Sequence, residues 1–192
     1  GGAGLHRGGN GISMGYRFLE PGEISVHDDR WLTYPWGVNG GTTGGRSTKK
    51  LVRANGKEEL LPAKIDHVKV EAGDILYFNT WGGGGWGDPY KRPAEKVAKD
   101  VERGLVTKEG AKRYGVVLNA DGTVNKADTD KLRAKLTSER KEVKLFDFGG
   151  TIEELKARCK AETSFDPPKA PEFQKWHRVA AQRLAAEKRA AE

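Results

Sequence analysis

A chain of 192 residues, 36% hydrophobic and 32% charged, has room for one ordinary domain or two small ones, with a modest core. It carries no run near the roughly 20 apolar residues of a membrane span and no leader-like start, which excludes an embedded protein and points to a cytoplasmic one. All of the net charge of +7 lies in residues 91–192, where basic residues alternate with acids instead of clustering, so no nucleic-acid partner is expected.

Glycine sets the character of the first half. Thirteen of the 26 glycines precede residue 46, and five more fall in Trp81-Gly82-Gly83-Gly84-Gly85-Trp86-Gly87. Such segments cannot be helices; glycine there supplies positive φ or lets backbones approach closely. Short strands are predicted at Tyr16–Leu19, Ile24–His27, Lys49–Arg53, Ile65–Val70 and Ile75–Asn79, with turns at Asn55-Gly56 and Ala72-Gly73-Asp74. After Asp88-Pro89 the periodicity changes to three and four. Pro93 opens a helix through Ala94, Val97, Ala98 and Val101 that ends at Gly104, and Thr107 caps a short helix ending at Gly115. Asn119-Ala120-Asp121-Gly122 turns a small hairpin, and Asp128 is the expected N-cap of a helix carrying Leu132 and Leu136. Thr151-Ile152-Glu153-Glu154 fits a capping box leading into Leu155 and Cys159, and beyond Pro167-Pro168 and Pro171 a last helix places Phe173, Trp176, Ala180 and Leu184 on one face. The predicted class is α+β: a β-rich glycine-loop domain over residues 1–90, incomplete at its N-terminal side, followed by a mainly helical extension over residues 91–192 with a small hairpin and a basic C-terminal helix.

The residues offer no self-sufficient active site. Cys159 stands alone, at an apolar position of its helix, so it reads as a buried thiol in a reducing compartment. His6, His27, His67 and His177 are scattered without ligand spacing, and no metal site is expected on this chain. The glycines of residues 1–11 could form an anion nest or simply turn tightly, and they lack the Lys-Ser/Thr ending of a phosphate loop. Gly82, Gly83, Gly84 and Gly85 read either as a backbone loop at a site or as a sharply folded crossing under Trp81 and Trp86. His27-Asp28-Asp29-Arg30 is the densest polar cluster, able to orient a substrate or to form an ion pair at a strand end. With Met14 as the only methionine, Gly1 is no ordinary translation start, and an upstream portion is expected.

Gly2-Ala3-Gly4-Leu5-His6-Arg7-Gly8-Gly9 resembles the Gly-Ala-Gly-x-x-Arg-Gly-Gly segment of the hydantoinase B, 5-oxoprolinase and acetone carboxylase family. The order continues as in that family through Asp29-Arg30, Pro35-Trp36-Gly37-Val38-Asn39-Gly40-Gly41, Leu61-Pro62-Ala63-Lys64, Gly73-Asp74 and Gly82–Pro89, then Gly104-Leu105-Val106-Thr107 and Tyr114-Gly115-Val116-Val117. The resemblance identifies the chain as the C-terminal part of the metal-dependent subunit. It implies ATP-dependent hydrolysis of a cyclic amide, with ketone carboxylation, or a non-catalytic assembly module, as alternatives. It also implies ATP with Mg on a partner, a hydantoinase A-like subunit, in a hetero-oligomer, and a divalent metal on the upstream half of the same subunit, since the family's metal-binding Asp and His motifs have no counterpart here. His6, Arg7, Asp29 and Arg30 are the expected residues near the site that the upstream half completes. Arginine brings fixed donors for a carboxylate, carbonyl or phosphate, and the glycines permit close approach. The structural alternative pairs Arg7 with Asp29 or with loop carbonyls.

Overall fold

The computed structural model describes residues 1–140, 142–167, 182, 183 and 186. The expected last helix, with Phe173, Trp176, His177, Ala180 and Leu184, lies outside the described residues. Strands form at Ser13–Arg17 (β1), Gly22–His27 (β2), Gly37–Val38 (β3), Thr48–Val52 (β4), Glu58–Leu60 (β5), Lys64–Val70 (β6), Ile75–Asn79 (β7) and Phe146–Asp147 (β8). Helices occupy Ala94–Glu102 (α1), Lys108–Ala111 (α2), Lys126–Glu139 (α3) and Ile152–Thr163 (α4). The class is the predicted α+β.

Two antiparallel layers build the β portion. One sheet has the order β1-β7-β4-β5, with Leu51 opposite Leu76, and β2 pairs with β6 in a second. Alternation directs Leu51 and Leu76 inward, where they meet Val70 of β6, and Phe18, Ile24, Leu61 and Val68 close the rim of this core. Gly56 and Gly73 take φ of +86° and +92°, the left-handed turns that Asn55-Gly56 and Ala72-Gly73 announce. The first strand runs Ser13–Arg17 instead of Tyr16–Leu19: Phe18 N–H reaches Asp74 O at the closing turn and ends the ladder there. β3, β5 and β8 are two or three residues long, too short for a periodic signal, and exist through their partners.

The second core joins the two halves of the sequence. Val97 of α1, Ala111 of α2, Tyr114 and Val116 pack with Ala3, so the glycine-rich start sits among the helices. Thr107 caps α2 by accepting from Gly110 N–H, and Gly115 ends the following turn at φ +64°. α3 starts three residues earlier than expected, because Asn125, not Asp128, is its N-cap: the Asn125 amide oxygen accepts from Asp128 N–H. Its buried contact is polar, with the Thr129 hydroxyl accepting from Val117 N–H at 3.0 Å. After α3 the chain returns to the glycine-rich half as β8, pairing with β3, and α4 follows with the full Thr151–Glu154 capping box and with Leu155 and Cys159 buried. No helix among the described residues is long and apolar enough to cross a membrane.

Asp88 is the hinge pin of this return. Its carboxylate accepts from Tyr90 N–H at 3.0 Å and from both terminal nitrogens of Arg140 at 3.0 and 2.8 Å, while the Arg140 guanidinium lies 5.0 Å from the Tyr90 ring centre. The Arg140 bonds, then that of Tyr90, hold the Asp88 carboxyl below its usual range despite partial burial. A depressed carboxyl pKa stabilises the fold above the unfolded value near ~3.9 and loses that contribution as pH falls through the folded value. Asp88→Asn is therefore expected to cost about 1–3 kcal/mol at pH 7, with the gap to wild type closing below about pH 4. Melting temperatures of both proteins across pH 3–7 check this, and a gap independent of pH would show that charge is not its source.

Candidate functional site

Three segments without helix, residues 1–9, 35–45 and 82–87, run against one another with glycine at the contacts. Gly2 N–H donates to Gly83 O, Gly83 N–H to Gly9 O, Gly82 N–H to Gly45 O, Gly85 N–H to Thr42 O and Thr42 N–H to Ala3 O, at 2.7–3.2 Å. A β-carbon on Gly84 would sit 1.7 Å from Trp36 O, on Gly85 2.0 Å from Ala3 O, on Gly8 2.1 Å from Gly83 O and on Gly41 2.1 Å from Gly85 O. None of these glycines has a positive φ, so backbone proximity is what demands them. Gly82–Gly85 thus cross the other two segments at close range, as the centre of a glycine-packed bundle. Trp81 and Trp86 stay substantially exposed. Because the amides of Gly2, Gly8, Gly82, Gly83 and Gly85 donate to protein carbonyls, they are not available as an anion nest.

His6 and Arg7 flank this bundle. His6 exchanges backbone hydrogen bonds with Trp86, and its ring lies 5.5 Å from the indole. Arg7 donates to Gly8 O at 2.8 Å and to Asn10 Oδ1 at 2.9 Å, and faces Asp100, which Arg92 holds at 2.8 Å. Asp29 and Arg30 lie instead just beyond the end of β2. No hydrogen bond, ion pair or ring contact joins them to His6 or Arg7 among the described residues; of the structural alternatives the loop carbonyl is the one Arg7 meets, at Gly8 O, while Arg7 faces Asp100 instead of Asp29, and Asp29 pairs with Lys64 at 3.4 Å. The tetrad His27-Asp28-Asp29-Arg30 is likewise divided. His27 turns to Asp66 at 2.8 Å, while Asp28 turns into the protein.

Beneath this turn lies a buried polar trio. Asp28, Ser47 and Lys49 are only 4%, 4% and 2% exposed. The Lys49 ammonium and the Ser47 hydroxyl both donate to Asp28 Oδ2, Lys49 Nζ is 3.2 Å from Ser47 Oγ, and the ammonium lies 5.3 Å from the Phe78 ring centre. Burial draws the Lys49 pKa down to about 8, and Lys64 adds repulsion, so the ammonium is still charged at neutral pH. Sequence reading missed Lys49 although a signal was present: on β4 it shares parity with Leu51, the most deeply buried residue of that strand, so one of two adjacent lysines had to point inward.

Above the trio an open cavity of about 380 Å³ is lined by Asp28, Asp29, Arg30, Trp31 and Lys64. Arg30 holds φ +54°, uncommon for a residue with a side chain, and it makes no ion pair among the described residues; its guanidinium reaches over Trp36 at 6.0 Å. An unpaired guanidinium beside an ammonium can receive a carboxylate, carbonyl or phosphate oxygen. Among the described residues no group of three or more His, Cys, Asp or Glu converges.

The structure is thus an α+β unit locked on a glycine bundle, with an open cavity lined by the charged residues Asp28, Asp29, Arg30 and Lys64. Residues 1–89, a little under half of the chain, match the family described as Hydantoinase B/oxoprolinase, and this part of the chain belongs to that family. It is 37% identical over 137 residues to an uncharacterised protein of Methanocaldococcus jannaschii, covering 69% of this chain and 24% of that one. It is 31% identical over 145 residues to the caprolactamase subunit beta of Pseudomonas jessenii, covering 70% and 24%. The crystal structure of ATP-dependent caprolactamase from that organism superposes with a TM-score of 0.58 at 30% identity, over 69% of this chain and 24% of its own. The nucleotide-free structure of acetone carboxylase covers 84% of this chain and 26% of its own with a TM-score of 0.56, and at 19% identity it shows a shared fold. The chain thus spans about a quarter of the length of these relatives.

Proposed function

We propose that this chain is part of the metal-dependent subunit of an ATP-dependent cyclic amide hydrolase of hydantoinase, 5-oxoprolinase or lactamase type, working with an ATP-binding hydantoinase A-like subunit in a cytoplasmic hetero-oligomer. One observation carries the reading: the family match covers the whole glycine bundle and the cavity-lining turn, and the likeness extends at 30% identity to a caprolactamase. Ketone carboxylation is the weaker reading, since its support here is a likeness of fold alone. The divalent metal belongs to the portion of the subunit that this chain does not span, and when bound it would generate the hydroxide that opens an activated ring. The residues of this chain supply orientation. Arg30 and Lys64 offer donors at the cavity, Asp29 holds Lys64, and the Asp28–Ser47–Lys49 trio fixes the turn that carries Asp29 and Arg30. His6 and Arg7 belong to the bundle that supports this face.

The complete subunit, assembled with its ATP-binding partner, should open hydantoin, 5-oxoproline or caprolactam with stoichiometric ATP hydrolysis. ATP consumption that requires a ketone and bicarbonate, with no ring opening, would establish the carboxylase instead. Within that assembly Arg30→Lys is expected to lower kcat/KM about 10- to 100-fold with assembly intact, because an ammonium cannot reproduce the planar two-point fork. Arg7→Lys, by contrast, should weaken stability before turnover, since the Arg7 donors are engaged by Gly8 and Asn10. Wild-type kinetics in Arg30→Lys would remove that residue from the site.

A further inference from the structure

Beside the cavity, three aromatic rings form one contiguous surface in spite of being half exposed. Trp36 meets Phe148 edge-on at 4.9 Å and Phe146 at 6.1 Å, Phe146 and Phe148 stack at 6.1 Å, and the three are 49%, 47% and 43% exposed. Single exposed apolar residues are ordinary, but a continuous aromatic surface left to water is not. The platform is also held firmly from below: Asn39 and Gly40 N–H groups donate to Leu145 O and Lys144 O at 2.8 Å, and β8 is paired to β3, so the rings are anchored to the glycine bundle.

We propose that this surface is the seat of an apolar segment carrying a carboxylate, contributed by the portion of the family polypeptide that this chain does not span. The proposal rests on the reading given under Proposed function and assigns a surface to it. Charge selects the occupant. Arg30, lying over Trp36, forms no ion pair among the described residues, whereas Asp147 is engaged by the N–H groups of Thr43 and Gly149. An aromatic centre with an unpaired cation at its rim fits an acidic, apolar strand and repels a basic one. Extent points to the same occupant, since the relatives run to about four times the matched length. A large remaining part of the same subunit must bury its own apolar surface against this unit, and Trp, Phe and Arg are the residue types that carry energy at such contacts.

The test uses the 192-residue chain and, produced separately, a polypeptide comprising the rest of the family subunit. Phe146→Ser with Phe148→Ser, and independently Arg30→Glu, should each weaken their association at least ~10-fold, while both variants alone melt within a few degrees of wild type. Amide exchange of residues 143–149 should slow on association. Binding unchanged in both variants would overturn the surface assignment and leave the functional reading standing, whereas no association of the wild-type pair would remove both. Concentration-dependent self-association, abolished by the same substitutions, would assign the surface to a second copy and overturn the proposal. Exchange that quickens at residues 143–149 on truncation after Pro167 would assign it to the chain's own C-terminal residues, with the same consequence.

Discussion

Alanine at Gly84 or Gly85 is expected to abolish the native fold. The new β-carbon would lie 1.7 Å from Trp36 O in one case and 2.0 Å from Ala3 O in the other, and both obstacles are backbone, which cannot swing aside as a side chain would. Relief requires one segment of the bundle to move outward, breaking the Gly85 to Thr42 and Val38 to Gly85 hydrogen bonds and withdrawing Ala3 from its core. The cost should exceed about 4 kcal/mol, beyond the ordinary range for a single substitution and a large part of the stability of a domain this size. Gly45 and Gly9 are the controls. Neither has positive φ, and an added β-carbon meets nothing within 4 Å at either, so alanine there should change stability by less than about 1 kcal/mol. Chemical denaturation of the four variants compares them directly. Equal midpoints would mean that the bundle yields, and that its glycines are not set by backbone proximity.

Removal of Lys49 should be nearly as damaging, for an electrostatic reason. Lys49→Met leaves the Asp28 carboxylate buried with only the Ser47 hydroxyl and deprives it of its counter-ion, a change that costs about 3–5 kcal/mol where one member of a buried pair is removed. Replacing both members, Asp28→Leu with Lys49→Met, should recover most of that loss, because the dominant penalty is the abandoned charge. The variant also carries a pH signature. Without its ammonium, Asp28 has a folded pKa raised above the unfolded value, so the fold is least penalised below about pH 4 and loses stability as pH rises through the raised value. The single variant should therefore approach wild type in acid and fall away toward neutrality. A double variant no more stable than the single one would show that Lys49 matters through packing against Phe78 instead of through its charge.

These expectations differ in how early they become visible. Residue pattern alone marks the strands that carry Leu51, Val70 and Leu76, places turns at Gly56 and Gly73, and gives the Thr107 and Thr151 caps, because each is decided within a few residues by composition, φ preference or a side-chain oxygen reaching the next turn. The ordered glycine motifs likewise disclose the family. Sequence distinguishes poorly between two uses of glycine, positive φ and close approach. Only the assembled bundle shows that Gly84 and Gly85 serve the second, since the obstructing carbonyls come from Trp36 and Ala3, far away in the chain. The same holds for the charges. His27-Asp28-Asp29-Arg30 looks like one polar cluster, yet strand direction sends Asp28 inward to Lys49 and leaves Asp29 with Lys64, and the path of the first segment gives Arg7 to Asp100. Local conformation is written in neighbouring residues; which backbone a glycine must admit and which charge a side chain meets are settled by partners tens of residues distant, and only tertiary packing brings those partners together.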